Sequence, residues 1–327
     1  MRLSKQTKIS GFIAAAIFYA LPAQCLAADS IRVAFSAVSP TQAVLWIADV
    51  GGFLTKNGIN AEIIYTRAAI ETLVAGEVQF GQMTGSLMFS ARLQGADPIM
   101  IAGVQDFLND RLVVRQNINS VEELRGKRIG VFRFGSASHL RLLNVLPRYG
   151  MGERDVTFLQ VGDTPDRLIA LHSGAVEATL LSPPDHLEAV RLGMKIILNL
   201  QDLKVPYQGS GLVTTQRLIA RNRDLARRFV KAYVEAIHAM RTNPALAKRA
   251  LAKYRQSKDE KQLDDAYQAL RETVKVKPYP SVEGFRTMIK DASERIPAAK
   301  TANPRDFLDA TLLEELDRSG YIDALYR

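Results

Sequence analysis

The chain has 327 residues, more than one hydrophobic core ordinarily holds, so two lobes are the expectation. Hydrophobic residues make up 47% and charged residues 24%, a globular composition that excludes a disordered chain. The net charge of +9 comes without a Lys/Arg run interleaved with aromatics, so nucleic acid is not an expected partner.

Residues 1–27 read as a secretory signal. Arg2, Lys5 and Lys8 form a basic start, residues 9–21 an apolar run, and Ala23 to Ala27 a small-residue exit. The run is too short for a comfortable membrane span, and cleavage after Ala27 is expected. Cys25 is the only cysteine, and Gln24 is a poor residue before a lipidated one. The exported protein is therefore expected to carry no disulfide and no thiol chemistry.

From there the elements alternate. Residues 31–36 form a strand, and Ser39-Pro40-Thr41 starts a helix that stops at Gly51-Gly52. A strand at 61–66 leads to a helix over 69–75, ended by Gly76. A strand at 78–83 runs into Thr84-Gly85-Ser86, which opens the next helix, and 98–104 is a strand. Residues 111–115 form another short strand, and Ser120 to Glu123 reads as a capping box. The stretch 128–138 begins as a buried strand and runs out through Arg133, Gly135, Ser136 and Ser138 into a helix over 137–149. Pro147 should kink that helix or end it early. Strands at 156–161, 176–181 and 194–198 follow. Thr164 caps the helix between the first two, and Ser182-Pro183-Pro184 starts the helix after the second. Gly209-Ser210-Gly211 leads into a last strand at 212–215. Beyond it the pattern is helical, with Phe229, Val230, Tyr233, Val234, Ile237 and Met240 forming one apolar stripe.

This rhythm predicts an α/β protein of two lobes, each a mainly parallel sheet flanked by helices, joined by a two-strand hinge. Residues 28–115 and 210–327 would form a discontinuous first lobe, and 116–209 the second. The crossings are expected at Val114, Arg115 and Gln116 and at Gly209, Ser210 and Gly211. In open α/β sheets ligands bind beyond the C-terminal strand ends. That places Ser36, Ser39, Thr41, Gly85, Ser86, Arg133, Gly135, Ser136, Ser138, Asp163, Thr164 and Ser182 around one cleft. Tyr207, just before the return crossing, is a candidate cleft aromatic, whereas Trp46 and Phe53 read as core.

Catalytic chemistry is not expected. His139, His172, His186 and His238 show no metal spacing, so no metal and no cofactor are predicted. No Gly-x-Ser-x-Gly elbow occurs, and Ser136 replaces the lysine that a phosphate loop would need.

Several stretches resemble a known family: Leu124-Arg-Gly-Lys-Arg-Ile-Gly-Val, Phe134-Gly-Ser, Leu73-Val-Ala-Gly-Glu-Val-Gln-Phe, Ala170-Leu-His-Ser-Gly-Ala-Val-Glu-Ala and Gly211-Leu-Val-Thr-Thr. They look like the periplasmic solute-binding proteins of ABC importers, in the group named for nitrate, sulfonate, taurine and thiamine-pyrimidine binding. The resemblance implies a two-lobed, type II periplasmic-binding fold. It implies a monomer that closes on one small organic or anionic solute and delivers it to a permease in the inner membrane. It implies ligand contacts from the loops at 36–41, 85–86, 133–138 and Ser182. A receptor serving a sensor is an alternative, and a pyrimidine-related enzyme on the same fold a further one, though that chemistry uses a cysteine. Many members carry Gly-Gly-Ser-Thr after the second strand; here Tyr65-Thr66-Arg67-Ala68-Ala69 stands instead. Arg67 is the candidate substitute as an anion partner.

Overall fold

A computed structural model of the chain describes residues 28–293 and 296–327. The expected signal segment lies outside the described residues. Ten strands occur in chain order: β1 (Asp29–Phe35), β2 (Ile59–Tyr65), β3 (Phe80–Thr84), β4 (Pro98–Gly103), β5 (Arg111–Val114), β6 (Arg128–Val131), β7 (Thr157–Gln160), β8 (Ala178–Leu181), β9 (Lys195–Asn199) and β10 (Ser210–Thr215). They build two five-stranded sheets, ordered β2-β1-β3-β10-β4 and β7-β6-β8-β5-β9.

The two sheets share one topology. In the first, β1 pairs in parallel with β2 and β3, while β10 is antiparallel to β3 and β4. In the second, β6 pairs in parallel with β7 and β8, while β5 is antiparallel to β8 and β9. Four strands of each sheet thus run one way and the crossing strand runs against them. β1 shows why these segments are strands: Ile31, Val33 and Phe35 are buried on one face while Arg32 is exposed.

The outgoing crossing lies earlier than expected. Val114 is inside β5, level with Ala178 and Lys195 of the second sheet, and the Arg115 N–H donates to Glu177 O at 3.1 Å. Residues 111–115 therefore belong with the second sheet, and Val114, Arg115 and Gln116 are not the crossing. Leu112, Val113 and Val114 are fully buried, and a short apolar run signals a strand without saying which sheet receives it. The chain passes outward over residues 104–110 and returns over 200–209. Ser210 and Gly211, expected in the return crossing, already pair with Thr84 and Met83 as the start of β10. The two crossings are bonded to each other: Gly209 N–H donates to Gln105 O (2.9 Å), Tyr207 N–H to Asp106 O (2.8 Å) and Leu108 N–H to Val205 O (3.2 Å).

Two further local expectations are refined. Pro147 ends the α-helix Ala137–Val145, and the chain continues as the 3-10 turn Leu146–Tyr149. Asp163, not Thr164, caps the helix Thr164–Ser173, with Asp166 reaching back to the Asp163 N–H.

One core lies between the first sheet and the helix Arg223–Thr242, where Phe80 stacks on Phe229 with centroids 4.2 Å apart. Trp46 is fully buried there and stacks on Tyr254. A second core runs along the other face of the first sheet and on into the second, including Met100, Leu112, Val131 and Phe285. Apolar packing thus continues through the junction between the lobes. Phe229→Ala should lower stability by about 3–5 kcal/mol, because the stacked ring leaves a cavity that Phe80 cannot fill. Urea unfolding checks this: the midpoint should fall while the slope holds.

Candidate functional site

The C-terminal ends of β1, β3, β6 and β8 face one another across the junction. The two crossing strands run the other way, so their beginnings, Asp110 and Ser210, arrive at the same place. Between them lies a cavity with about 80 Å³ open to the centre of a water molecule.

The first lobe contributes a rigid hydroxyl array. The Ser36 N–H donates to Gln42 Oε1 at 3.0 Å, and Gln42 Nε2 donates to Ser36 Oγ at 2.9 Å. Gln42 is 1% exposed and holds the loop after β1 in a closed ring. Thr41 Oγ1 lies 3.2 Å from both Ser39 Oγ and Ser210 Oγ. All five residues line the cavity. Gln42 was not among the expected site residues; a side-chain amide inside a helix start has no local signature.

The second lobe contributes Ser136, Ser138, Thr164 and Ser182, all in the cavity wall. Ser136 and Ser138 are 3.2 Å apart and fold the loop onto itself, accepting from the N–H groups of Arg133 and Phe132. Gly135, at φ +75°, donates its N–H to His139 Nδ1 at 3.1 Å. Gly135 thus shapes the loop and is not in the wall. Gly85 is also structural: a Cβ there would lie 2.6 Å from Gln208 O. Ser86 is fully buried behind Thr84 and Leu87, and Tyr207 is buried beneath Arg141, whose guanidinium stands 5.5 Å from its ring. None of Gly85, Ser86 and Tyr207 lines the cavity.

The charged groups differ most from expectation. Arg133 does not reach the cavity; it pairs with Glu71 of the other lobe at 2.9 Å. Arg67 pairs with Asp166 at 2.8 Å and lies 3.6 Å from Asp163, while Tyr65 OH donates to Asp163. Burial raises the Tyr65 phenol above its ordinary range, and the Asp163 carboxylate adds to that shift. Both arginines are clasps across the cleft mouth. Their reach to a carboxylate on the opposite lobe wins over a turn toward the cavity.

The cations in the wall are instead Arg141 and Arg167. Arg141 pairs with Asp110, and the two side chains are 6% and 5% exposed. Asp110 also accepts from Ser182 Oγ at 2.8 Å. Arg167, 7% exposed, donates to Gly162 O at 2.7 Å and Thr164 Oγ1 at 3.2 Å. It makes no ion pair among the described residues. Burial is the main influence on it and pulls its pKa down, with Asp110, Asp163 and others opposing more weakly. Arginine stays protonated even so. Their shared feature in the sequence is a spacing too common on helices to mark a site. Each arginine stands three after a wall hydroxyl, Ser138 and Thr164, in the first turns of helices facing the cleft.

Two lobes of one topology, joined by a paired crossing and closed on a polar cavity, define the two-lobed periplasmic-binding fold. The chain belongs to the NMT1/THI5 like family, whose model matches residues 39–247. An ABC transporter periplasmic binding protein of Brachyspira hyodysenteriae is 26% identical over 175 residues, 54% of this chain and 49% of that one. Riboflavin-binding protein RibY of Chloroflexus aurantiacus is 26% identical over 212 residues, 61% of this chain and 58% of that one. The match thus spans about half the length of these curated relatives. A Bordetella bronchiseptica structure superimposes with TM-score 0.79 at 19% identity, covering 89% of this chain and 97% of that one. The periplasmic aliphatic sulphonate binding protein SsuA of Escherichia coli gives 0.69 at 20%, covering 88% and 99%. At these identities the structural likeness shows the fold.

Asp110→Ala should destabilise the protein by about 3–5 kcal/mol, because Arg141 is left buried and unpaired. Chemical denaturation measures this. Removing the two exposed pairs Arg133–Glu71 and Arg67–Asp166 (Glu71→Gln with Asp166→Asn), with Arg67 and Tyr65 still beside Asp163, should cost only about 1–2 kcal/mol of closure, because exposed pairs are each worth up to about 1 kcal/mol. Small-angle scattering should then show a larger radius of gyration in the unliganded protein.

Proposed function

We infer that this protein is the periplasmic solute-binding component of an ABC import system and that it captures a small anionic solute between its lobes. Arg167 carries the reading. A buried cation without a carboxylate partner is costly unless an anion completes it. The cavity's other arginine is neutralised by Asp110, and Asp163 is shared with Arg67 and Tyr65. The helices Thr164–Ser173 and Ala137–Val145 also begin at the wall, and helix N-termini favour negative charge.

The names of the relatives agree with this class of function. One is an ABC transporter periplasmic binding protein, and one solved structure binds aliphatic sulphonates. A carboxylate or sulfonate group suits the wall, with Ser36, Ser39 and Thr41 closing over it from the first lobe. The wall holds no His, Cys or Lys among the described residues, which favours capture without turnover. The paired crossings at 104–110 and 200–209 are the proposed hinge, between a first lobe of 28–103 and 210–327 and a second of 111–199. The partner is a permease that accepts the closed form.

A thermal-shift screen of short alkanesulfonates and carboxylates tests the reading. A ligand at one hundred times its Kd should add about 2.7 kcal/mol of stability, read as a raised Tm. Arg167→Ala should weaken that ligand by roughly 2–4 kcal/mol in calorimetry. Arg133→Ala, at the clasp, should weaken it by no more than about 1 kcal/mol. Equal losses from the two variants would remove Arg167 from its proposed role.

A further inference from the structure

The cavity between the polar loops has a larger neighbour near the junction. A second cavity, with about 580 Å³ open to the centre of a water molecule, lies on the hinge side. That volume falls within the range of small-molecule sites. Its walls come from both crossings, from the turn after β8, and from the helix Glu260–Thr273 of the first lobe.

Gln105 separates the two cavities and lines both. Its side chain donates to Asn109 Oδ1 and packs against Gly209, where a Cβ would lie 2.4 Å from Gln105 Oε1. The residues on either side of this divider face different ways. Asp110 and Ser182 line the inner cavity, while Asn109, Arg111 and Pro183 line the outer one.

The outer cavity has an aromatic and apolar wall. Phe107 is 51% exposed although it lies in a bonded crossing, and Leu187 is 36% exposed. Pro183, Pro184 and Ala269 extend this surface. Exposed apolar residues gathered on one concave wall are unlike the scattered ones of an ordinary surface. The wall also holds two cations, Arg111 and Lys204, and neither makes an ion pair among the described residues. Two of its three acids are already engaged: Asp106 with Lys275 at 2.7 Å and Asp265 with Arg191 at 2.6 Å. Glu272 is the third. Burial pulls the Arg111 pKa down more than Asp110, Asp202 and Glu272 raise it. His186 Nδ1 is buried and has no hydrogen-bond partner among the described residues. Lys204 sits in the left-handed region at φ +47°, a costly conformation for a side chain other than glycine.

We propose that this hinge-side cavity is a second small-molecule site, distinct from the anion cavity, and that it takes a planar aromatic acid. The ring lies on Phe107 against Leu187 and the prolines. The carboxylate or sulfonate meets Arg111 and Lys204. An aromatic face and two unpaired cations on one concave wall are what such a molecule needs.

The test uses the full-length mature protein and 2-naphthoate, with 2-naphthol as the uncharged control, in calorimetry and ligand-observed NMR. The expected result is saturable binding of 2-naphthoate, roughly tenfold tighter than 2-naphthol. Phe107→Ala and Lys204→Glu change exposed positions and should each weaken 2-naphthoate several-fold or more. Arg167→Ala should leave its affinity within about twofold, because that residue lines only the inner cavity. No binding of 2-naphthoate, or binding unmoved by Phe107→Ala and Lys204→Glu, would overturn the second site. Loss of 2-naphthoate in Arg167→Ala would also overturn it, since a single continuous cleft would then hold the molecule. Failure here leaves the anion reading of the inner cavity intact, because that rests on Arg167 and short-chain ligands.

Discussion

The buried pair of Arg141 and Asp110 holds the cleft together. Asp110 ends the outgoing crossing, immediately before β5. Arg141 stands on the second lobe's helix Ala137–Val145 and covers the ring of Tyr207 in the return crossing. Asp110 in turn holds Ser182 at the end of β8. One charge pair therefore ties both crossings to a helix and a loop of the second lobe. Buried pairs seldom add net stability over apolar packing, but breaking one strands a charge. The value of this pair is geometric: it fixes where the wall of the cavity stands relative to the hinge.

The arginines around the cleft divide by burial into two kinds. Arg67 and Arg133 are partly exposed and meet carboxylates of the opposite lobe. Water and salt screen such pairs. Arg141 and Arg167 are nearly inaccessible, and screening there is weak. The second kind lines the cavity. Two further pairs join the lobes, Arg191–Asp265 and the more buried Arg255–Asp185. The cavity wall and the cleft mouth thus carry different arginines.

The alternation of strands and helices was legible in the sequence because it rests on local pattern. Glycines end helices at Gly76 and Gly174 in the left-handed conformation, and Pro147 stops the α-helix where its missing N–H requires. The serine and threonine loops were legible as helix starts at strand ends. Tertiary choices were not. Residues 111–114 read as a strand equally well in either sheet. Arg133 sits in the loop that the sequence makes most prominent, yet its partner is Glu71, 62 residues away in the chain. Arg141 and Arg167 look like ordinary polar positions on amphipathic helices. Only the packing of those helices against the crossings shows that they point inward. Gln42 is the same case on the other lobe.

The shared topology explains why so few residues suffice for the cavity. In each sheet the crossing strand runs against the other four strands. The start of that strand therefore lies beside the ends of the others, where ligands of α/β sheets collect. Each crossing delivers one polar side chain there, Asp110 into the second lobe and Ser210 into the first. Asp110 anchors an arginine and a serine, and Ser210 reaches Thr41 and through it Ser39. The two crossings thus carry residues that organise both walls of the cavity. Any tilt of one lobe against the other would therefore move Asp110 and Ser210 relative to each other, and with them the polar groups of both walls.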